Sequence, residues 1–153
     1  MARVIGVDPG TVRVGVAISD ELRITARPLV TIRRRDDGAT ARAILDLAAA
    51  HEAGRIVVGI PLGLSGAEQE TSRAARRLVE AIQAITSLPV VGWDERLTTA
   101  QAERSLIEGN VRRERRREII DQVAAALMLQ SFLDAEAVRD RPAGYADPET
   151  PDR

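Results

Sequence analysis

From Val4 to Ile32 the chain passes through three β-branched runs, Val4 to Asp8, Val14 to Ser19 and Ile24 to Ile32, separated only by short turns. Strands joined by Asp8-Pro9-Gly10-Thr11 and by Asp20-Glu21 leave no room for a crossover, so they form an antiparallel meander. The period then changes. Ala41, Ile44, Leu45 and Ala48 recur at three and four residues and predict a first helix. Arg55 to Ile60, ended by Pro61, reads as a buried strand. Ser65-Gly66-Ala67-Glu68 has capping-box spacing ahead of a second helix, whose apolar stripe is Ala75, Leu78, Val79, Ile82 and Ile85. Pro89 to Trp93 is the next strand and leads into Asp94-Glu95. Thr98 with Gln101 can cap a third helix, and Ile119 to Leu133 predicts a fourth with Ile120, Val123, Ala124 and Leu127 on one face. The order βββαβαβαα implies an α/β domain, a mixed five-stranded sheet with helices on both faces.

A chain of 153 residues, 44% hydrophobic, is sized for one domain with its own core, taken as residues 1–137. Beyond it, Pro142, Gly144, Pro148 and Pro151 break any regular pattern, so 138–153 reads as a flexible tail. No apolar run approaches a membrane span, and Met1 to Val7 lacks the layout of a signal peptide, which points to a cytoplasmic protein. Without cysteine there is no thiolate site, and the single histidine, His51, reads as a surface residue near a helix end. Any metal is therefore bound mainly by carboxylate oxygen, which suits Mg²⁺ or Mn²⁺. A net charge of −1 excludes a chain that coats nucleic acid by bulk electrostatics. All 22 basic residues are arginine, however, and they cluster at Arg33-Arg34-Arg35 and around Arg112 to Arg117, so a basic rim is still available.

Three acids stand where a folded core would not choose them. Asp8 ends an apolar strand, Glu95 follows Val90-Val91-Gly92-Trp93, and Asp121 interrupts the apolar start of the last helix. Strand ends that converge in a mixed sheet, crossed by a helix, can bring three such carboxylates to one edge. Clustered carboxylates repel, and bound divalent cations remove that cost. Two ions held this way can drive in-line hydrolysis of a phosphodiester. Taken singly, each acid also has an ordinary reading: a turn residue at Asp8, a first-turn acid at Glu95, an ion-pair partner of Arg117 at Asp121. Asp94 competes with Glu95 for the ligand role.

Four stretches also resemble a known family: Gly6-Val-Asp-Pro-Gly-Thr-Val-Arg-Val-Gly-Val-Ala17, Val57-Val-Gly-Ile-Pro-Leu62, Asp94-Glu-Arg-Leu-Thr-Thr99 and Ile120-Asp-Gln-Val-Ala-Ala-Ala-Leu-Met-Leu-Gln130. In this order they are similar to the YqgF family of Holliday-junction-resolvase-like proteins, regarded as nucleases of the 5′ end of precursor 16S rRNA. The resemblance runs from about residue 3 to residue 134. It implies a ribonuclease-H-like fold, metal-binding acids at Asp8, Glu95 and Asp121, and cleavage of precursor rRNA or branched DNA. Where the family carries Asn-x-Asp-Gly after its Gly-x-Pro strand end, this chain has Gly63-Leu64-Ser65-Gly66.

Around the acids, Arg13 and Arg96 are candidates to hold a substrate phosphate or to neutralise the carboxylates, and Arg117 joins them as a substrate contact. Thr98 and Thr99 read as helix caps. Ala124 and Ala125, one turn after Asp121, leave room for a carboxylate or for close helix-to-sheet packing. Trp93, Phe132 and Tyr145 are the only aromatics, so recognition rests on backbone and shape rather than base stacking. Two rival readings stand beside the nuclease. Gly6-Val-Asp-Pro-Gly-Thr11 also resembles the phosphate loop of the sugar kinase and actin superfamily, which closes two domains around a nucleotide where 153 residues supply one. A nucleic-acid-binding module without catalysis is the other. Monomer and homodimer both remain open.

Overall fold

Residues 2–61, 66–95 and 113–139 are described by the computed structural model. The meander forms β1 (Arg3–Pro9), β2 (Arg13–Ser19) and β3 (Ala26–Arg33). After it come α1 (Asp37–Ala50), β4 (Ala53–Pro61), α2 (Gly66–Gln83), β5 (Val90–Glu95) and α3 (Arg113–Arg139). The sheet order is β3-β2-β1-β4-β5, with β1 antiparallel to β2 and parallel to β4, and β4 parallel to β5.

Alternation along the strands builds two cores. Ile5 and Val7 of β1, Val14, Val16 and Ile18 of β2, and Ile56 and Val58 of β4 face α1 and α2, where Ile44, Leu78 and Ile82 complete a fully buried cluster. Val4, Ala17 and Val57 face the other way and meet Met128, Leu129, Phe132 and Leu133 of α3. Helices therefore cover both faces, as the element order implies. Among the described residues no helix is long and apolar enough to cross a membrane.

Three boundaries differ from the sequence reading. The third strand starts at Ala26, not Ile24, because the Asp20 carboxylate accepts the N–H groups of Ile24 (2.7 Å) and Thr25 (3.1 Å) and draws both into a turn with Arg23 at φ 58°. The second helix ends at Gln83, and Ile85, 42% exposed, leaves its stripe. The last helix is longer than Ile119 to Leu133 and carries through to Arg139. Further back, α1 is capped by Asp36, which accepts from the Ala39 N–H at 2.8 Å. The expected helix at Thr98 and Gln101, and the loop Gly63-Leu64-Ser65, lie outside the described residues.

Candidate functional site

Because β1, β4 and β5 are parallel, Asp8, Pro61 and Glu95 all stand at their carboxyl ends, on one edge of the sheet. Asp8 is half-buried and shares the parity of Val4 and Gly6, which puts it on the α3 face. Its cross-strand partner on β2 is Gly15. A Cβ at Gly15 would lie 1.9 Å from the Asp121 carbonyl oxygen, so α3 rests its backbone directly on the strand pair at the level of Asp8. Three and four residues further along the helix, Ala124 and Ala125 are buried, and a Cβ at Gly6 would come within 2.8 Å of Leu129 Cβ. Small residues thus bring Asp121, on the α3 backbone, to the strand pair that carries Asp8.

The Asp121 carboxylate has a guanidinium partner. Arg13 Nε donates to Asp121 Oδ2 at 2.9 Å, with the two side chains 31% and 22% exposed. Asp121 thus pairs with an arginine 108 positions away rather than with Arg117 on its own helix. Arg13 itself is cross-strand to Arg33. With Val12, Thr31, Arg117 and Glu118 these two line an open groove of about 730 Å³. The Thr31 hydroxyl donates to the Glu118 carbonyl at 2.7 Å and ties β3 to the start of α3.

The turn between Asp8 and Arg13 is clamped from the opposite face. Arg34 is only 9% exposed. Its guanidinium donates to the Gly10 carbonyl (3.1 Å), the Ala74 carbonyl of α2 (3.1 Å) and Asp37 Oδ1 (3.2 Å), while its N–H donates to the Val12 carbonyl (2.9 Å). The sequence reading grouped Arg34 with a basic rim; burial and three acceptors make it internal instead. That role has no signature in a run of three arginines, since the acceptors come from elements that meet only on folding.

Of the other expected residues, Glu95 is described in its backbone, opposite Pro61, and Arg96 lies outside the described residues. Along β5, residue 95 has the parity of Trp93, which packs edge-on against Phe132 of α3 (5.4 Å, 84°), whereas Asp94 has the opposite parity. Arg117 is exposed, and His51 caps the end of α1. Among the described residues no three acids or histidines are grouped to hold a metal; Asp8 and Asp121 are the described acids near this edge, and carboxylate oxygen is the donor that hard cations take. Gly15 is the residue that sequence reasoning passed over, whereas Arg33 lines the groove as its place in the expected basic rim implies. A glycine inside a β-branched strand was a usable signal for it.

A family model described as "RuvX: Holliday junction resolvase" matches residues 2–135. A "Putative pre-16S rRNA nuclease" of Myxococcus xanthus is 42% identical over 138 residues, covering 90% of this chain and 91% of that one. A protein of the same description from Paracoccus denitrificans is 44% identical over 131 residues, covering 86% and 83%. Among solved structures, Thermus thermophilus RuvC bound to a Holliday junction superposes with a TM-score of 0.56 at 16% identity, over 90% of this chain and 96% of that one. Fowlpox virus resolvase with its junction DNA gives 0.51 at 10% identity, over 88% and 98%. At such identities the likeness concerns the fold, which is ribonuclease-H-like.

Proposed function

The chain belongs to the RuvX family of Holliday junction resolvases, and from that premise we propose that it is a metal-dependent nuclease that processes the 5′ end of precursor 16S rRNA in the cytoplasm. The observation that carries this reading is the contact at Gly15, which sets Asp121 of α3 against the strand pair of Asp8 at the edge where β5 ends on Glu95. Asp8, Glu95 and Asp121 would hold the Mg²⁺ or Mn²⁺ ions. Two strand spacings, about 10 Å, separate β1 from β5, and the extra methylene of glutamate suits the more distant position.

When bound, such a pair of ions supplies Lewis acidity to the attacking water and to the leaving oxygen. The protein's own part is to hold the acids and the substrate in line. Arg13 balances the Asp121 charge in the free protein and is placed to turn to a substrate phosphate. Arg117, which lines the groove beside Arg13, holds a further phosphate, and Arg96, outside the described residues, is retained from the sequence as another such contact. Water adds to phosphorus, the P–O3′ bond breaks, and the proton ends on the leaving oxygen, giving 5′-phosphate and 3′-hydroxyl products.

A second reading, resolution of branched DNA, is favoured by the family description and by the junction-bound fold relatives. One experiment separates the two: cleavage of an RNA bearing the 5′ flank of precursor 16S rRNA beside a four-way DNA junction, in Mg²⁺ or Mn²⁺, by wild type and Asp8→Asn. Metal-dependent RNA cutting that disappears in the variant is the expected result. Junction cutting alone selects the second reading, and a 2′,3′-cyclic phosphate product would overturn the mechanism.

A further inference from the structure

Arg13 and Arg33 face each other across β2 and β3, a directly opposed pair of like charges that costs a sheet stability. Asp121 offsets Arg13. Neither Arg33 nor Arg117, both exposed, has an ion pair among the described residues, although Glu118 lines the same groove. Three guanidiniums thus line one open channel whose remaining wall includes Val12, 54% exposed. An arrangement that weakens the free protein fits a site whose missing partner is an anion. The apolar wall suits a sugar beside that anion better than it suits water.

We propose that Arg33, with Arg117 and Arg13, forms a phosphate subsite for the sugar-phosphate backbone of the substrate strand on the β3 side of the carboxylates. The inference rests on the nuclease reading for its ligand and adds a direction to it. In the order β3-β2-β1-β4-β5, Glu95 lies on one side of Asp8 and the subsite on the other, so the strand crosses the site from β5 towards β3. Arg33 touches no reacting group; it grips a phosphate flanking the one that is cleaved. Its fork contributes charge-assisted bonds without reading sequence.

The test measures binding by fluorescence anisotropy in EDTA, with a labelled single-stranded RNA and a labelled four-way DNA junction, from low to moderate salt, for wild type, Arg33→Gln and Arg33→Glu. Arg33→Gln should bind both nucleic acids about five- to tenfold more weakly. Its slope of log affinity against log salt should be shallower by about 0.7 to 0.9, one phosphate contact. Arg33→Glu should bind more weakly still. The free Arg33→Gln variant should melt at or above the wild-type temperature, because the opposed pair is gone, and millimolar pyrophosphate should raise the melting temperature of wild type more than that of the variant. Wild-type affinity and slope in Arg33→Gln overturn the subsite, as does a lowered melting temperature, which would make Arg33 a structural residue. Wild type that binds neither nucleic acid overturns the nuclease reading; the pyrophosphate comparison then decides the subsite by itself. Where wild type does bind nucleic acid, pyrophosphate stabilisation without nucleic-acid dependence on Arg33 would mark a site for a free anion and also overturn the proposal.

Discussion

Gly15 sets how near α3 comes to the sheet, and so where Asp121 stands relative to Asp8. Gly15→Ala puts a methyl against a backbone carbonyl, which cannot rotate away, and should cost about 3 kcal/mol in urea unfolding while abolishing cleavage. Arg34 acts from the other face. Arg34→Met leaves the Gly10 and Ala74 carbonyls and Asp37 without their donor, and a loss of about 2 to 4 kcal/mol should accompany a slackened turn between Asp8 and Arg13. If the variant melts like wild type, the clamp is not what holds that turn. Asp8 and Asp121 stood out in the sequence by their misplacement in apolar runs. The partner of Asp121 was not, since Arg13 and Arg117 are equally plausible on charge and only the approach of α3 to β2 selects the first.

At the level of elements, the β2–β3 junction shows how short polar groups fix register. Ser19 is fully buried; its hydroxyl accepts the Val4 N–H at 2.8 Å and donates to the Asp20 carbonyl at 2.9 Å. Ser19→Ala would strand a buried N–H on β1 and should cost about 1 to 3 kcal/mol. Asp20 follows with a carboxylate held below the usual range, chiefly by the Thr25 N–H and then the Ile24 N–H. A depressed pKa in the folded state means that its stabilisation is present above about pH 4 and is lost as pH falls through the folded value. The acid limb of a urea-midpoint profile should therefore flatten in Asp20→Asn. The same carboxylate explains why Ile24, apolar and β-branched, is not in the strand that its side chain suggests: a local side-chain acceptor for its N–H outweighed propensity.

Across the whole molecule, the two cores share β1, β2 and β4, so neither face can melt without exposing the other. Trp93, the one tryptophan of the chain, packs on Phe132 of α3, and Arg55 pairs with Glu136 near the end of the same helix. Thermal unfolding followed by Trp93 fluorescence and by far-UV circular dichroism should give coincident midpoints. An earlier fluorescence transition would mean that α3 leaves the sheet first, and with it Asp121. At this scale the arginine clusters also separate in role. Arg33 lines the groove, Arg34 is internal, and the near-zero net charge conceals a local basic channel beside an acidic edge.

The sequence by itself determined the element order, the meander, the faces that strands and helices bury, and the three acids that no core would choose, because alternation, the 3.6-residue period and misplaced charge are local properties of the chain. Tertiary structure alone decided which acids share an edge, which arginine answers Asp121, that Arg33 opposes Arg13 and that Arg34 turns inward. Those facts depend on strand order and register and on the distance between a helix and a sheet. Such quantities are set by packing between residues as far apart as Gly15 and Asp121, and no window along the chain contains both.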